Sequence, residues 1–456
     1  MIQKNKIIIA LIIMTTWFNY GSGKENSIKF KIPDVDSFNL KNNIKVFYYR
    51  DELPRFAISA SIGFGKLNEK KVTAGISDLI VKILNIGSTK KNFEKIESLG
   101  GKISINSSFE TTSINIEILQ RYSSTAVDTI YDILKNPDFS DETITTAKNM
   151  LADEIKRKSD EPDFIALEKT REIIFGGDSY GAAPTESGIK LITKETILKT
   201  WNEFFQSDNI LIASASSHDI NSVKKLFETG LSSLPGNGKV DYKIDKEIIS
   251  DNIKKSQGKI FFFKKNLTQS TIAIGTLSEV ISYEGNYGRT IMNYILGGGS
   301  FSSRLVSEIR VKKGMAYSVQ SVIRARKKTG VFLAFAQTKT ENTQEVIRII
   351  DENIKKISKE HVTKDELNWA IESLTNSFVF KFDNTMSIMG NILELEYTGL
   401  PKDYFEKYTD NLKKVNAEKV LKESQLIFEN GLVRVVVGNP SLKDELKKFG
   451  EVVELN

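Results

Sequence analysis

The sequence contains no cysteine. Disulfides, thiolate metal ligands, a cysteine nucleophile and a lipid-modified N-terminal cysteine are all excluded by that absence. Histidine is nearly missing as well, with only His218 and His361 in 456 residues. Neither belongs to an H-x-x-E-H or H-E-x-x-H motif, so no helix carries two imidazoles at i and i+4, the spacing that turns both toward one metal. No basic block interleaved with aromatics occurs, and the net charge is +6 against 64 basic and 58 acidic side chains, which leaves nucleic-acid binding without support. Beyond the N-terminus no run approaches the roughly 18 apolar residues of a membrane-spanning helix.

What is present reads as an ordinary globular chain, 40% hydrophobic and 27% charged. Its length suits two or three domains of about 150 to 220 residues. Lys4 and Lys6, the apolar run from Ile7 to Trp17, and Gly21, Ser22 and Gly23 follow the order of a secretory signal peptide, assigned to residues 1–23. The expectation is an exported protein, periplasmic in a double-membraned bacterium, with no stable membrane span once the signal is removed; a retained signal anchor is the alternative.

Strands are predicted at Ile44–Tyr49 and Phe56–Ile62, then a helix near Thr73–Asn85 ending at Gly87. Strands at Lys102–Ser108 and Thr112–Leu119 follow, then helices near Ser124–Leu134 and Ser140–Lys158. The second half repeats this order, with matching elements about 210 to 220 positions apart. The repeat indicates a duplicated α+β unit in which each half is an antiparallel sheet with helices packed on one face. The expected domains are 28–236 and 256–456, joined by a polar linker at 237–255.

Leu296 to Gln320 is the most patterned stretch. Three glycines, Gly297 to Gly299, release one helix, another runs from Ser302 to Lys312, and Gly314 breaks it before a strand that starts at Tyr317. Arg310 and Tyr317 thus stand at a helix end and a strand start, able to point into one cleft. Local pattern alone also admits a plain connector with a surface arginine and a half-buried tyrosine.

Several motifs in this order resemble the pitrilysin/insulinase family of zinc metallopeptidases, in its short two-domain form. They are Leu296-Gly297-Gly298-Gly299, Ser303-Arg304-Leu305, Ile309-Arg310 and Ala316-Tyr317-Ser318-Val319 in the second half, with Gly75-Ile76, Gly87 and Gly100-Gly101-Lys102 in the first. The resemblance implies a mitochondrial-processing-peptidase-like metallohydrolase fold. In that family H-x-x-E-H on the first-domain helix binds zinc with a downstream glutamate, and the motif's glutamate activates the metal-bound water. The motif falls here on Asp78-Leu79-Ile80-Val81-Lys82, so both histidines and the general base are missing. The downstream ligand survives as Glu154, which alone makes no site beside Lys156, Arg157 and Lys158. Asp78 and Lys82 are spaced instead for an i,i+4 ion pair.

What the resemblance retains is Arg310 and Tyr317, which in the family reach the zinc site to bind substrate backbone and to donate to the oxyanion. The strand containing Ser104, Ile105 and Asn106 corresponds to the one that pairs with substrate in active relatives. The resemblance implies a chain that is no enzyme on its own and holds no cofactor itself, the zinc being expected in a homologous partner subunit. Together the two would enclose peptides or unfolded polypeptides in a chamber and hydrolyse them. The competing expectation is a peptide-binding or scaffold protein with no catalytic partner.

Overall fold

Runs of β-branched and aromatic residues build two six-stranded sheets. The computed structural model describes residues 33–87, 89–238, 240, 242 and 244–455; the expected signal peptide, 1–23, lies outside them. The first sheet comprises β1 (Val35–Asn39), β2 (Lys45–Arg50), β3 (Arg55–Ile62), β4 (Lys102–Ser107), β5 (Thr112–Leu119) and β6 (Ile210–Ser216), ordered β1-β2-β6-β3-β5-β4. The second comprises β7 (Lys259–Lys264), β8 (Gln269–Ser278), β9 (Ala316–Ala325), β10 (Gly330–Lys339), β11 (Val433–Gly438) and β12 (Glu451–Leu455), ordered β12-β7-β11-β8-β10-β9. Five strands match one for one between the sheets. The sixth differs: β1 joins β2 antiparallel, whereas β12, from the other end of the chain, joins β7 parallel.

Helices α1 (Ile76–Ile86), α2 (Thr89–Ser98), α3 (Ser123–Lys135), α4 (Asp141–Lys158), α5 (Pro162–Phe175), α6 (Glu186–Leu191), α7 (Lys194–Phe204) and α8 (Ile220–Leu231) come from the first half. From the second come α9 (Lys246–Lys255), α10 (Gly285–Asn293), α11 (Thr343–Ile357), α12 (Lys364–Ser377), α13 (Thr385–Thr398), α14 (Tyr408–Lys413) and α15 (Ala417–Phe428). The duplicated α+β architecture agrees with expectation, and two details differ. Each sheet contains parallel pairs, β2 with β6 and β7 with β11, so neither is wholly antiparallel. Nor are helices confined to one face.

The second face of each sheet is covered by a helix from the opposite half. Met389, Ile392 and Leu393 of α13 pack on Phe47, Tyr49, Ala57, Ala213 and Ala215 of the first sheet. In return, α5 lays Ile165 and Ala166 on Ala273 and Val437, and Ile174 and Phe175 among Val331, Leu333, Val433 and Val435. Small residues admit both helices. A Cβ on Gly275 of β8 would come within 2.7 Å of Thr170 Cγ2 on α5, so only glycine lets that helix lie so close. Polar ties fix the exchange: Thr271 and Gln337 donate to Asp163 at 2.9 and 2.6 Å, and Lys45 pairs with Glu396 at 2.8 Å.

The expected linker, 237–255, is a connection only in its first part. Asp245 caps α9 by accepting from the backbone N–H groups of Glu247 and Ile248, and Ile249 and Ile253 are buried beside Ile174 of α5. Two buried isoleucines in a charged decapeptide are too few to mark a packed helix from pattern alone.

Truncating the exchanged helix should therefore be felt in the other half. Met389→Ala is expected to cost about 2–5 kcal/mol and to speed amide hydrogen exchange in β3 and β6 more than in β8 and β10. Faster exchange confined to the second sheet would contradict this cross-packing.

Candidate functional site

The first-half helix that would carry a metal is firmly placed. Gly75 adopts φ +86° to start α1, and Leu79, Ile80, Ile83 and Leu84 sink into the first core. The opposite face then presents Asp78 and Lys82. The expected Asp78–Lys82 pair does not form. Asp78 accepts from the Ser107 hydroxyl at the end of β4, while Lys82 Nζ reaches across to Glu154 on α4 at 2.8 Å. Lys158 Nζ holds the other oxygen of Glu154 at 2.7 Å. A carboxylate already oriented by one lysine, facing Lys82 across the helix pair, is a better partner than exposed Asp78. Hydrogen bonds from Lys158 and then Lys82 hold the Glu154 carboxyl down at about 2.

These residues do not fit zinc. An ammonium stands against the one carboxylate of the expected ligand set, Val81 offers no donor, and among the described residues no group of three or more His, Cys, Asp or Glu is placed to hold a metal ion. Glu154 is thus a charge-paired bridge between α1 and α4.

The second-half pair is built differently. Buried Leu305 and Ile309 anchor its helix, and Arg304 grips Glu366 through two hydrogen bonds of 2.7 and 2.9 Å. From Val306 to Lys312 the turns widen to i→i+5 bonding, a distortion frequent at functional sites. Gly314, at φ +60°, reverses the chain. Ala316 then pairs with Thr338 and Ser318 with Gln337, which leaves Tyr317 as the extra residue of a β-bulge. A bulge re-aims a side chain out of the pleat, and Tyr317 is 83% exposed. The guanidinium of Arg310 lies 5.2 Å from the Phe301 ring centre and 5.9 Å from that of Tyr317. Arg310 and Tyr317 are therefore brought together, and the half-buried tyrosine of the plain connector reading does not hold.

The remaining predicted residues lie elsewhere. Ser104, Ile105 and Asn106 are on β4, an edge strand whose outer side has no partner strand among the described residues. Ser104 and Asn106 are exposed, Ile105 is in the core, and its carbonyl accepts from Asn85 Nδ2 at 3.3 Å. Ser104 also lines a cavity of about 900 Å³ between the two halves, with Ser59, Asn115, Glu117, Glu394 and Tyr397. Arg310 and Tyr317 do not line it. They stand at the start of β9, whereas Ala325 and Arg326, which do, are at its far end, about 26 Å along the strand. No hydrogen bond, ion pair or ring contact among the described residues links Arg310 or Tyr317 to Lys82, Glu154 or β4.

His218 packs between Gln120 and Ser123, at 3.0 and 3.3 Å. An amide rather than a carboxylate orients the ring, and Ser123 is buried, so no activated nucleophile results. Sequence reasoning missed Phe109, Glu110, Arg171, Tyr180 and Arg326, which meet where the β4–β5 and β9–β10 hairpin turns approach each other. They come from four separate segments, and only the fold unites them.

Glu154 titrates lower folded than unfolded. Its contribution to stability is present above about pH 4.3, the ordinary glutamate value, and is lost as pH falls toward 2. In Lys82→Met the urea midpoint should fall less between pH 6 and pH 3 than in the parent chain. An equal fall in both would show that Lys82 does not hold this carboxyl.

Comparison with known proteins bears on family and fold. The family model described as Insulinase (Peptidase family M16) matches residues 46–184, and that described as Peptidase M16 inactive domain matches residues 191–374. A Bacillus subtilis protein named "Uncharacterized zinc protease YmxG" is 23% identical over 407 residues, spanning 88% of this chain and 95% of its own. A Helicobacter pylori protein named "Non-peptidase homolog YmxG" is 21% identical over 365 residues, spanning 78% and 82%. Among solved structures, a peptidase M16 inactive domain from Pseudomonas fluorescens superposes with a TM-score of 0.78 at 18% identity, covering 89% of this chain and 98% of its own. A Helicobacter pylori protease gives 0.78 at 15% identity, covering 90% and 100%. With both halves matched by models of one family and the metal-binding helix carrying lysine against glutamate, the chain belongs to the M16 (insulinase) peptidase family, in its non-catalytic form.

Proposed function

We propose that this chain is the non-catalytic subunit of a heteromeric peptidase. It pairs with a zinc-bearing homologue, closes a chamber around peptides or unfolded polypeptides, and lends Arg310 and Tyr317 to its partner's site. The observation that carries this reading is an asymmetry: Lys82 neutralises the one surviving ligand carboxylate, while Tyr317 is bulged outward beside Arg310. In that role the Tyr317 hydroxyl donates to the oxyanion on the scissile carbonyl, and the planar fork of Arg310 binds substrate backbone. Among the described residues neither group has a hydrogen-bond or ion-pair partner in its own chain's first half. Phe301 and Val311, 61% and 57% exposed, flank the pair with apolar surface of the kind a partner covers. The outer edge of β4 offers backbone groups for strand addition; since the Ile105 side chain is buried, recognition there is by main chain. Residues 1–23 direct export, to the periplasm where the source has two membranes.

The test is to co-purify this chain with a homologue bearing H-x-x-E-H and to measure peptide cleavage. Tyr317→Phe should lower kcat by about 10²-fold, and Arg310→Ala should raise KM, with the complex intact on gel filtration. Unchanged activity in both variants would overturn the proposal.

A second reading is a peptide-binding or scaffold protein with no catalytic partner. It is favoured by the 900 Å³ cavity, which is complete within one chain. Affinity of the isolated chain for unstructured peptides, with no homologue recovered alongside it, would select this reading.

A further inference from the structure

A second cavity, of about 390 Å³, opens over the α5 side of the second sheet. Its cationic wall is Arg171 from α5 with Arg324 and Arg326 from the end of β9, and its apolar floor includes Val322, Leu333 and Phe335. Phe109, from the β4–β5 turn, gathers the charges: its ring centre lies 4.0 Å from the Arg326 guanidinium and 5.5 Å from that of Arg171. Two like charges on one ring repel each other unless something between them carries the opposite sign.

The neighbouring carboxylates act on these charges only through space, Glu168 on Arg171 and Glu110 on Arg326, and make their hydrogen bonds and ion pairs elsewhere. Glu110 accepts from the Tyr180 hydroxyl and, at 3.4 Å, from the Lys327 backbone N–H. Glu168 faces Lys66 at 4.0 Å, and Asp163 at the other end of the cavity is engaged by Thr271 and Gln337. The guanidinium groups of Arg171, Arg324 and Arg326 form no hydrogen bond or ion pair with any described residue, and the Arg171 Nε is fully buried without a partner. Burial pulls the Arg171 and Arg326 pKa values below the ordinary arginine range, yet guanidinium stays charged. A buried polar atom in a folded protein is normally paired, as the Arg171 Nε is not; the three arginines line a space within the size range of ligand pockets.

We propose that this cavity binds a carboxylate carried on an apolar peptide segment, held by Arg171, Arg324 and Arg326, with the adjoining side chain on the Val322–Leu333–Phe335 floor. The carboxylate can be a peptide's free C-terminus or an acidic side chain. That the ligand is a peptide rests on the chamber reading above; the anion site rests on these residues alone.

The full chain, without any partner, is titrated by fluorescence anisotropy with three labelled hexapeptides of otherwise apolar sequence. One ends in a phenylalanine with a free carboxylate, one is its C-terminal amide, and one is the amide with an internal glutamate. At least one carboxylate peptide should bind about tenfold more tightly than the plain amide, with affinity falling as salt rises. Preference for the first assigns the site to C-termini, and preference for the third to acidic side chains. Arg324→Gln, at an exposed strand end, should abolish the preference without altering the melting curve. Arg171→Gln should do the same, and if loss of its ring contact unfolds the chain, the Arg324 variant carries the test. Equal affinity for all three peptides, or a preference that survives Arg324→Gln, overturns the site. Because the readout is binding by one chain, it stays separable from the activity measurements on Arg310 and Tyr317.

Discussion

Two helices cross between the halves, and the placement of both cavities follows from that exchange. α13 covers the first sheet at Ala57, Ala213 and Ala215, and α5 covers the second at Ala273 and Gly275. A sheet with one face in water has exposed residues at every second position, whereas β3, β6, β8 and β10 are buried along nearly their whole length, with only small polar side chains among the apolar ones over most of each strand. Neither half could present such a sheet alone without exposing an apolar face. The exchange also leaves the strips of sheet beside each crossing helix uncovered, and both cavities lie there.

The first half shows what becomes of a metal site when its ligands are replaced. A lone glutamate beside a helix would remain a charged group with nothing to balance it. Lys82 supplies one positive charge to Glu154, and Lys158 fixes the second oxygen. An ion pair ties α1 to α4 here. That pair is directional and single, so it holds the helices but offers no open coordination position for water.

The second half retains a different kind of feature. The widened turn before Arg310, the left-handed Gly314 and the bulge at Tyr317 are three departures from regular structure within a dozen residues. The widened turn and the bulge interrupt regular bonding, glycine adopts the left-handed turn freely, and together they deliver two polar groups to the surface on a firmly anchored scaffold. Close approach explains the neighbouring glycines: a Cβ on Gly297 would meet the Ser321 backbone nitrogen at 2.7 Å, and one on Gly299 would meet Trp369 at 2.4 Å.

Much of this was legible in the sequence, because it depends on local period and on residue identity. The paired strands, the long helix capped by Ser140, the glycine-bracketed α1 and the loss of H-x-x-E-H all belong to contiguous segments, where side chains at fixed spacing share a face. Membership of the family was equally legible, carried by motifs in order across the repeat. Helices α5 and α13 were not. Met386, Ile388, Ile392, Leu393, Leu395 and Tyr397 spread around more than half of α13, so it shows no single apolar stripe. The edge strands β1 and β12 were missed because each is only five residues long with charged or polar residues mixed in, and what defines them is pairing to β2 and β7. Lys82's choice of Glu154 over Asp78, the bulge that turns Tyr317 outward and the arginine cluster around Phe109 depend on which distant segments become neighbours. The sequence by itself determined the repeat, the family and the missing metal ligands, since each is a matter of residue identity and local spacing. Only the tertiary structure decided the partners of the remaining charges, because an ion pair or ring contact is set by distance across the fold.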